Sequence, residues 1–262
     1  MNIRSDTSIQ AALSARVAAG GKCMVPYLTG GLPGWEQMLQ AAVGAGVDAI
    51  EVGIPFSDPV MDGPVIQQSS AMAIAAGATP AKIIDAVSRL DFETPLAVMT
   101  YANLVYRFGF ERFAQTLTEA GISGAILPDI PLEEADEWCA AADSAGVQTI
   151  MLAAPTASDE RLERVVARAR GFVYAVGLLG ITGERESLAS TAKVIAKRVK
   201  QLTDLPVLVG VGVSTPEQAA EVCEEADGVI VGSAIVRRVL ETGSPEAVGE
   251  LIGEFRAAID AG

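Results

Sequence analysis

Short apolar runs and amphipathic stretches alternate along almost the whole chain. Runs near Met24–Leu28, Ala49–Ile54, Leu96–Tyr101, Gly124–Leu127, Thr149–Ala153, Phe172–Val176, Val207–Gly210 and Gly228–Val231 read as strands. Helical spacing of apolar residues predicts helices near 34–45, 110–120, 132–145, 158–169, 187–201 and 216–225, with another starting at Gly232-Ser233. A short amphipathic helix over 7–19 precedes the first strand, and 55–94 holds a loop and two helical pieces. Punctuation supports these boundaries. Thr79-Pro80, Ser158 and Thr215-Pro216 are helix starts, Gln218 stands in the capping-box place, and Gly171 is a helix stop.

A weak repeat reinforces the alternation. Ala45-Gly46-Val47, Ala120-Gly121-Ile122 and Ala145-Gly146-Val147 each end a helix and lead into a strand. Short strands that are apolar on both sides belong in a parallel sheet covered on both faces. Eight strand–helix units in 262 residues predict an α/β fold, a closed (β/α)8 barrel with an extra N-terminal helix, occupying residues 1–262 as one domain. In such a barrel the active site lies at the C-terminal ends of the strands.

The break in the pattern is Glu51. Ile50, Val52 and Ile54 alternate with Ala49, Glu51 and Gly53, so one carboxylate sits in mid-strand among apolar neighbours. Burying it without a partner is costly, and burial raises its pKa toward the range useful for proton transfer. The strand then breaks at Pro55 into a loop carrying Asp58 and Asp62. Tyr101, Asn103 and Asp129 fall after the third and fourth strands, at the same end of the predicted barrel. Glu51, Asp62 and Asp129 are candidates for divided acid and base roles; the alternative for the aspartates is that they cap turns or helices.

Composition narrows the chemistry. The formal net charge of −14 disfavours nucleic acid and anionic membrane surfaces as partners. No apolar run is long enough for a membrane span, and the start at Met1 has no hydrophobic signal core. Cys23, Cys139 and Cys223 lie far apart, suggesting neither a disulfide framework nor zinc, and the whole reads as cytoplasmic. The chain has no histidine, which removes His triads, His general bases and His-ligated metals. Lys82, Lys193, Lys197 and Lys200 fall on helices and Lys22 precedes the first strand, so no strand lysine is placed for a Schiff base.

Two further groups point to a phosphorylated, flat substrate. Glycine-rich turns follow the last three strands: Gly180-Ile181-Thr182-Gly183, Gly210-Val211-Gly212-Val213-Ser214 and Gly232-Ser233. Loops after the seventh and eighth strands of barrels often bind phosphate through backbone N–H groups. Tyr27, Met99, Ile126, Leu152 and Tyr174 lie near strand ends and form a candidate apolar lining, although such residues are also ordinary core.

Ile-Glu-Val-Gly-Ile-Pro-Phe-Ser-Asp-Pro-Val-Met-Asp-Gly-Pro, residues 50–64, resembles the signature of the tryptophan synthase α subunit family. Met99–Asn103, Leu127–Pro131, Gly180–Gly183, Gly210–Ser214 and Gly232–Val236 match in the same order, over nearly the whole chain. The resemblance implies cleavage of indole-3-glycerol phosphate to indole and glyceraldehyde 3-phosphate, with no cofactor in this chain. It implies an α2β2 complex with a pyridoxal-phosphate-dependent β subunit, faced by the Asp58 loop and the region around Asn103. It further implies that Glu51 is the general acid/base and that Asp62 accepts the indole N–H. Thr182 would bond Asp62 when its loop closes, and Gly183, Gly212, Gly232 and Ser233 would hold phosphate. Tyr27, Met99, Tyr101, Ile126, Asp129, Leu152 and Tyr174 would surround the substrate. Two positions depart from the family: Gly177-Leu178-Leu179 replaces a Ser-Arg-type lead into the closing loop, and Met61 replaces a small residue before Asp62. Other readings are a sugar-phosphate isomerase or epimerase, a stand-alone indole-producing lyase, and a mainly non-catalytic barrel that activates a β-type partner.

Overall fold

The computed structural model describes residues 8–177, 185–210 and 212–262, with 185–190 as backbone. In chain order the elements are α1 (Ile9–Ala18), β1 (Cys23–Thr29), α2 (Trp35–Gly44), β2 (Ile50–Gly53), α3 (Pro64–Ala75), α4 (Pro80–Ser88) and β3 (Leu96–Met99). Then follow α5 (Ala102–Phe108), α6 (Phe110–Glu119), β4 (Gly124–Ile126), a 3-10 turn at Leu132–Glu134, α7 (Asp136–Ala145) and β5 (Gln148–Ala153). The chain finishes with α8 (Asp159–Arg168), β6 (Val173–Ala175), α9 (Arg185–Lys200), β7 (Val207–Val209), α10 (Pro216–Cys223), β8 (Gly228–Val231), α11 (Ser233–Thr242) and α12 (Pro245–Ala261). The strands close into a parallel barrel in sequence order, β8 pairing back to β1.

Strand alternation sorts residues between two cores. Met24, Leu28, Ile50, Val52, Leu96 and Val98 join the cluster under the helices. Their neighbours Cys23, Val25, Ala49 and Ala97 join Ile126, Leu208 and Ile230 inside the barrel. Ile9 and Leu13 of α1 belong to that inner cluster, so the N-terminal helix plugs the end where the strands begin. Gly124 makes room for the plug, since a Cβ there would collide with Ile9 and Ile150.

An ionic cluster closes the same end. Arg256 of α12 donates to Asp48 (2.9 Å), to Asp260 (2.6 Å) and to the Lys22 carbonyl (2.6 Å). Asp48 accepts from the Met24 amide (2.8 Å), and Arg16 of α1 reaches Asp260 at 2.5 Å. First and last helices are thus tied to β1 and to the turn before β2.

Several helix starts behave as their residues predict. Ser158 accepts from Arg161 N–H, and Thr215 accepts from Gln218 N–H. The Gln218 side chain reaches one residue further back than a capping box, to Ser214 N–H at 2.8 Å. Two helices go beyond the sequence pattern. The short α5 stands where a loop was expected, set off from α6 by Gly109 at φ +92. α12 begins at Ser244-Pro245 and packs on α2 and α10. The predicted helix over 132–145 is divided into the 3-10 turn and α7. All three cysteines are free and buried. No helix among the described residues is long and apolar enough to cross a membrane.

Candidate active site

A cavity of about 300 Å³ opens at the C-terminal end of the barrel. Tyr27, Glu51, Met99 and Tyr174 line its interior, Asp62 stands in its wall, and Gly212, Gly232 and Ser233 form the opposite side. The two tyrosines fit because two strand ends carry no side chain. A Cβ at Gly53 would overlap the Tyr27 hydroxyl, and a Cβ at Gly210 would overlap the Tyr174 ring. Gly210→Ala should therefore cost about 1–3 kcal/mol by overpacking and raise KM as Tyr174 is pushed into the cavity. Denaturant unfolding and substrate titration check both parts, and an unchanged KM would mean that Tyr174 does not shape the pocket.

Glu51 is 1 % exposed. Pairing of β2 between β1 and β3 sets it beside Tyr27 and Ala97, and alternation with Ile50 and Val52 turns it inward. Its Oε2 has no hydrogen-bond partner among the described residues. Burial, then the nearby Asp62 charge, pushes its pKa from 4.5 up to about 8. Near neutrality this group holds a proton and is poised to donate it.

Asp62 differs in kind. It sits on the β2–α3 loop, half-buried, and its pKa is raised by burial while a hydrogen bond from Tyr101 opposes that rise. The end formed by Gly212, Gly232 and Ser233 is built largely from backbone. Gly212 adopts φ +101, open to glycine at little cost, and α11 starts at Ser233 with no side chain capping its first N–H groups. Those groups remain available to an anion at the helix N-terminus.

Other predicted site residues lie outside this lining. Tyr101 is 3 % exposed, stacked on Phe56 with ring centroids 5.0 Å apart, and its hydroxyl accepts from the Met61 amide at 3.0 Å. Ile126 belongs to the barrel's inner cluster, and Leu152 packs against that cluster. Asp129 and Leu152 border a neighbouring hollow of about 450 Å³. Asp129 also accepts from the Ala102 amide at 2.8 Å, the helix-capping role left open by the sequence. Thr182 and Gly183 lie outside the described residues. The cavity adds Ile66, Val213, Ser214 and Ile230. Ser214 was already visible in the glycine motif after β7; Ile66, on the inner face of α3, carried no local signal.

The family model for the tryptophan synthase alpha chain matches residues 13–254. The chain belongs to the tryptophan synthase alpha chain family. The alpha chain of Thermobifida fusca is 42% identical, covering 98% of this chain and 97% of its own length. That of Streptomyces coelicolor is 43% identical, over 95% and 93%. Among solved structures, a chain of Mycobacterium tuberculosis tryptophan synthase superposes with a TM-score of 0.89 at 37% identity, over 98% of this chain and all of that one. The Legionella pneumophila alpha subunit gives 0.87 at 35%, over 97% and 98%. Alpha chains are lyases of tryptophan biosynthesis that cleave indole-3-glycerol phosphate, and this chain is one of them.

Proposed function

We propose that Glu51 and Asp62 divide the cleavage chemistry of this alpha chain. The observation that carries the reading is a buried Glu51 carboxyl, its Oε2 without a partner among the described residues, in the same small cavity as a second carboxylate. Protonated Glu51 delivers its proton to indole C3, and Asp62 accepts the N–H, whose positive charge grows as the ring is protonated. The Glu51 carboxylate then takes the proton from the hydroxyl on the adjoining carbon. The C–C bond breaks, its electrons restore the indole ring, and the oxidised end leaves as the aldehyde of glyceraldehyde 3-phosphate. Glu51 ends protonated as it began. The protonated indole is its own electron sink, which suits a cavity with acids and no Schiff-base lysine.

Gly212, Gly232 and Ser233 would grip the phosphate with backbone N–H groups and a hydroxyl. Tyr27, Met99 and Tyr174 hold the indole. Residues 1–262 act as one barrel unit in the cytoplasm, without a cofactor in this chain, in keeping with free buried cysteines.

The partner is a pyridoxal-phosphate-dependent β subunit in an α2β2 complex. Exposed apolar side chains support that face: Val60 and Met61 on the Asp62 loop and Tyr106 on α5, which are 78%, 43% and 74% exposed. Indole release by the purified chain, alone and with a β subunit, tests the assignment. Weak activity that rises sharply with the partner is expected. Strong activity unaffected by the partner would point instead to a self-sufficient lyase, and no indole in either case would remove the catalytic assignment.

A further inference from the structure

Two residues at the strand ends, Tyr101 and Asp129, do not line the cavity, yet Asp129 bonds the backbone next to Tyr101, and Tyr101 bonds the loop that carries Asp62. Asp129, just beyond β4, accepts from the Ala102 amide at 2.8 Å and so caps the first turn of α5. α5 has no capping side chain of its own, and its N-cap residue is Tyr101. The Tyr101 ring is buried against Phe56, at the start of the β2–α3 loop. Its hydroxyl accepts from the Met61 amide (3.0 Å), next to Asp62, and leaves its own proton to favour the ionised Asp62 carboxylate. A phenol has one proton to give and lone pairs to receive, so both bonds can hold at once. Burial, together with the Asp62 charge, keeps that phenol protonated.

We infer that Tyr101 and Asp129 are positioning residues: Asp129 fixes the start of α5, α5 fixes Tyr101, and the Tyr101 hydroxyl, bonded to the Met61 amide, holds the loop and so places Asp62 where indole N–H must be met. The inference rests on the reading of Asp62 as the N–H acceptor. It reassigns two residues that the family resemblance put among substrate contacts. The loop between β2 and α3 has conformations to lose, and one buried hydroxyl bound to the Met61 amide removes part of that freedom before substrate arrives.

The test is a pH profile of kcat/KM for indole-3-glycerol phosphate. Groups that sense the Asp62 charge are Tyr27 of β1, Glu51 of β2, Tyr174 of β6 and Tyr101 itself. Among the described residues, Tyr101 is the one whose hydrogen bond favours the ionised Asp62. Y101F keeps the ring stacking and removes the hydroxyl. It should lower kcat/KM about 10- to 100-fold, the worth of a hydrogen bond to a charged group. It should also move the acid limb to higher pH, because Asp62 loses a bond favouring its ionised form. D129A should shift the profile in the same direction, and D129N, which keeps an oxygen for the Ala102 amide, should recover most of the loss. The double variant Y101F/D129A should fall no further than Y101F, since both act through one bond. An acid limb unmoved in Y101F, or a D129A loss with no shift, would overturn the inference. D62N measured alongside separates the two readings. If D62N is crippled and Y101F is unchanged, the positioning role fails while Asp62 stands; if D62N is unimpaired, both fall.

Discussion

Glu51→Gln should leave a folded barrel whose cleavage of indole-3-glycerol phosphate is reduced by roughly 100- to 10,000-fold, the range for loss of a general acid/base. In the proposed mechanism the same carboxyl gives a proton to carbon and takes one from oxygen, and an amide can do neither. Single-turnover indole release measures the loss; a rate within about tenfold of the parent would remove Glu51 from the chemistry. The variant should at the same time be more stable. Below pH 4.5 Glu51 is protonated whether the chain is folded or not, and its titration costs nothing. Between 4.5 and about 8 the unfolded carboxyl ionises while the folded one holds its proton, so the folded state loses about 1.4 kcal/mol per pH unit. Above about 8 both forms are ionised and the full cost of the buried charge persists. The stability advantage of Glu51→Gln should therefore grow with pH across that window and then level off. Denaturant unfolding of both proteins at several pH values checks it, and a pH-independent difference would show that burial does not perturb Glu51.

Asp62→Asn should reduce cleavage by roughly 100- to 1,000-fold, comparable to removing one electrostatic stabiliser of a transition state. The neutral amide no longer offsets positive charge growing on the indole nitrogen. A glycerol phosphate analogue should bind as before, because Gly212, Gly232 and Ser233 are untouched. The pH profile carries a second signature. The Asp62 charge is the lesser of two causes raising the Glu51 pKa, after burial, so the basic limb of kcat/KM should move to lower pH. A profile with its basic limb unmoved would mean that the two carboxyls do not sense each other.

Glu51 shows why the centre of this site was legible. A carboxylate alternating with isoleucine and valine has one explanation in a strand and few in a loop, and period-2 alternation fixes which way it points. The barrel was legible for the same reason, since eight short strands buried on both faces leave little other architecture. Asp129 shows the limit. A strand-end aspartate serves a cavity or a helix cap equally well in sequence, and only the Ala102 amide at 2.8 Å decides which bond it makes. Ile126 and Leu152 show another limit: alternation tells that they face inward, but not that they lie with the inner cluster and outside the cavity lining. α5 was missed because its seven residues span under two turns, too short for periodicity to register.

The cavity and the Arg256–Asp48–Asp260 cluster occupy opposite rims of one barrel. Evolution can therefore tune them independently. Loop exchanges at the catalytic rim can retarget substrate or partner while the α1 plug and its ion pairs keep the staves closed. Charge changes at the plugged rim can adapt the protein to heat or salt without reaching the chemistry.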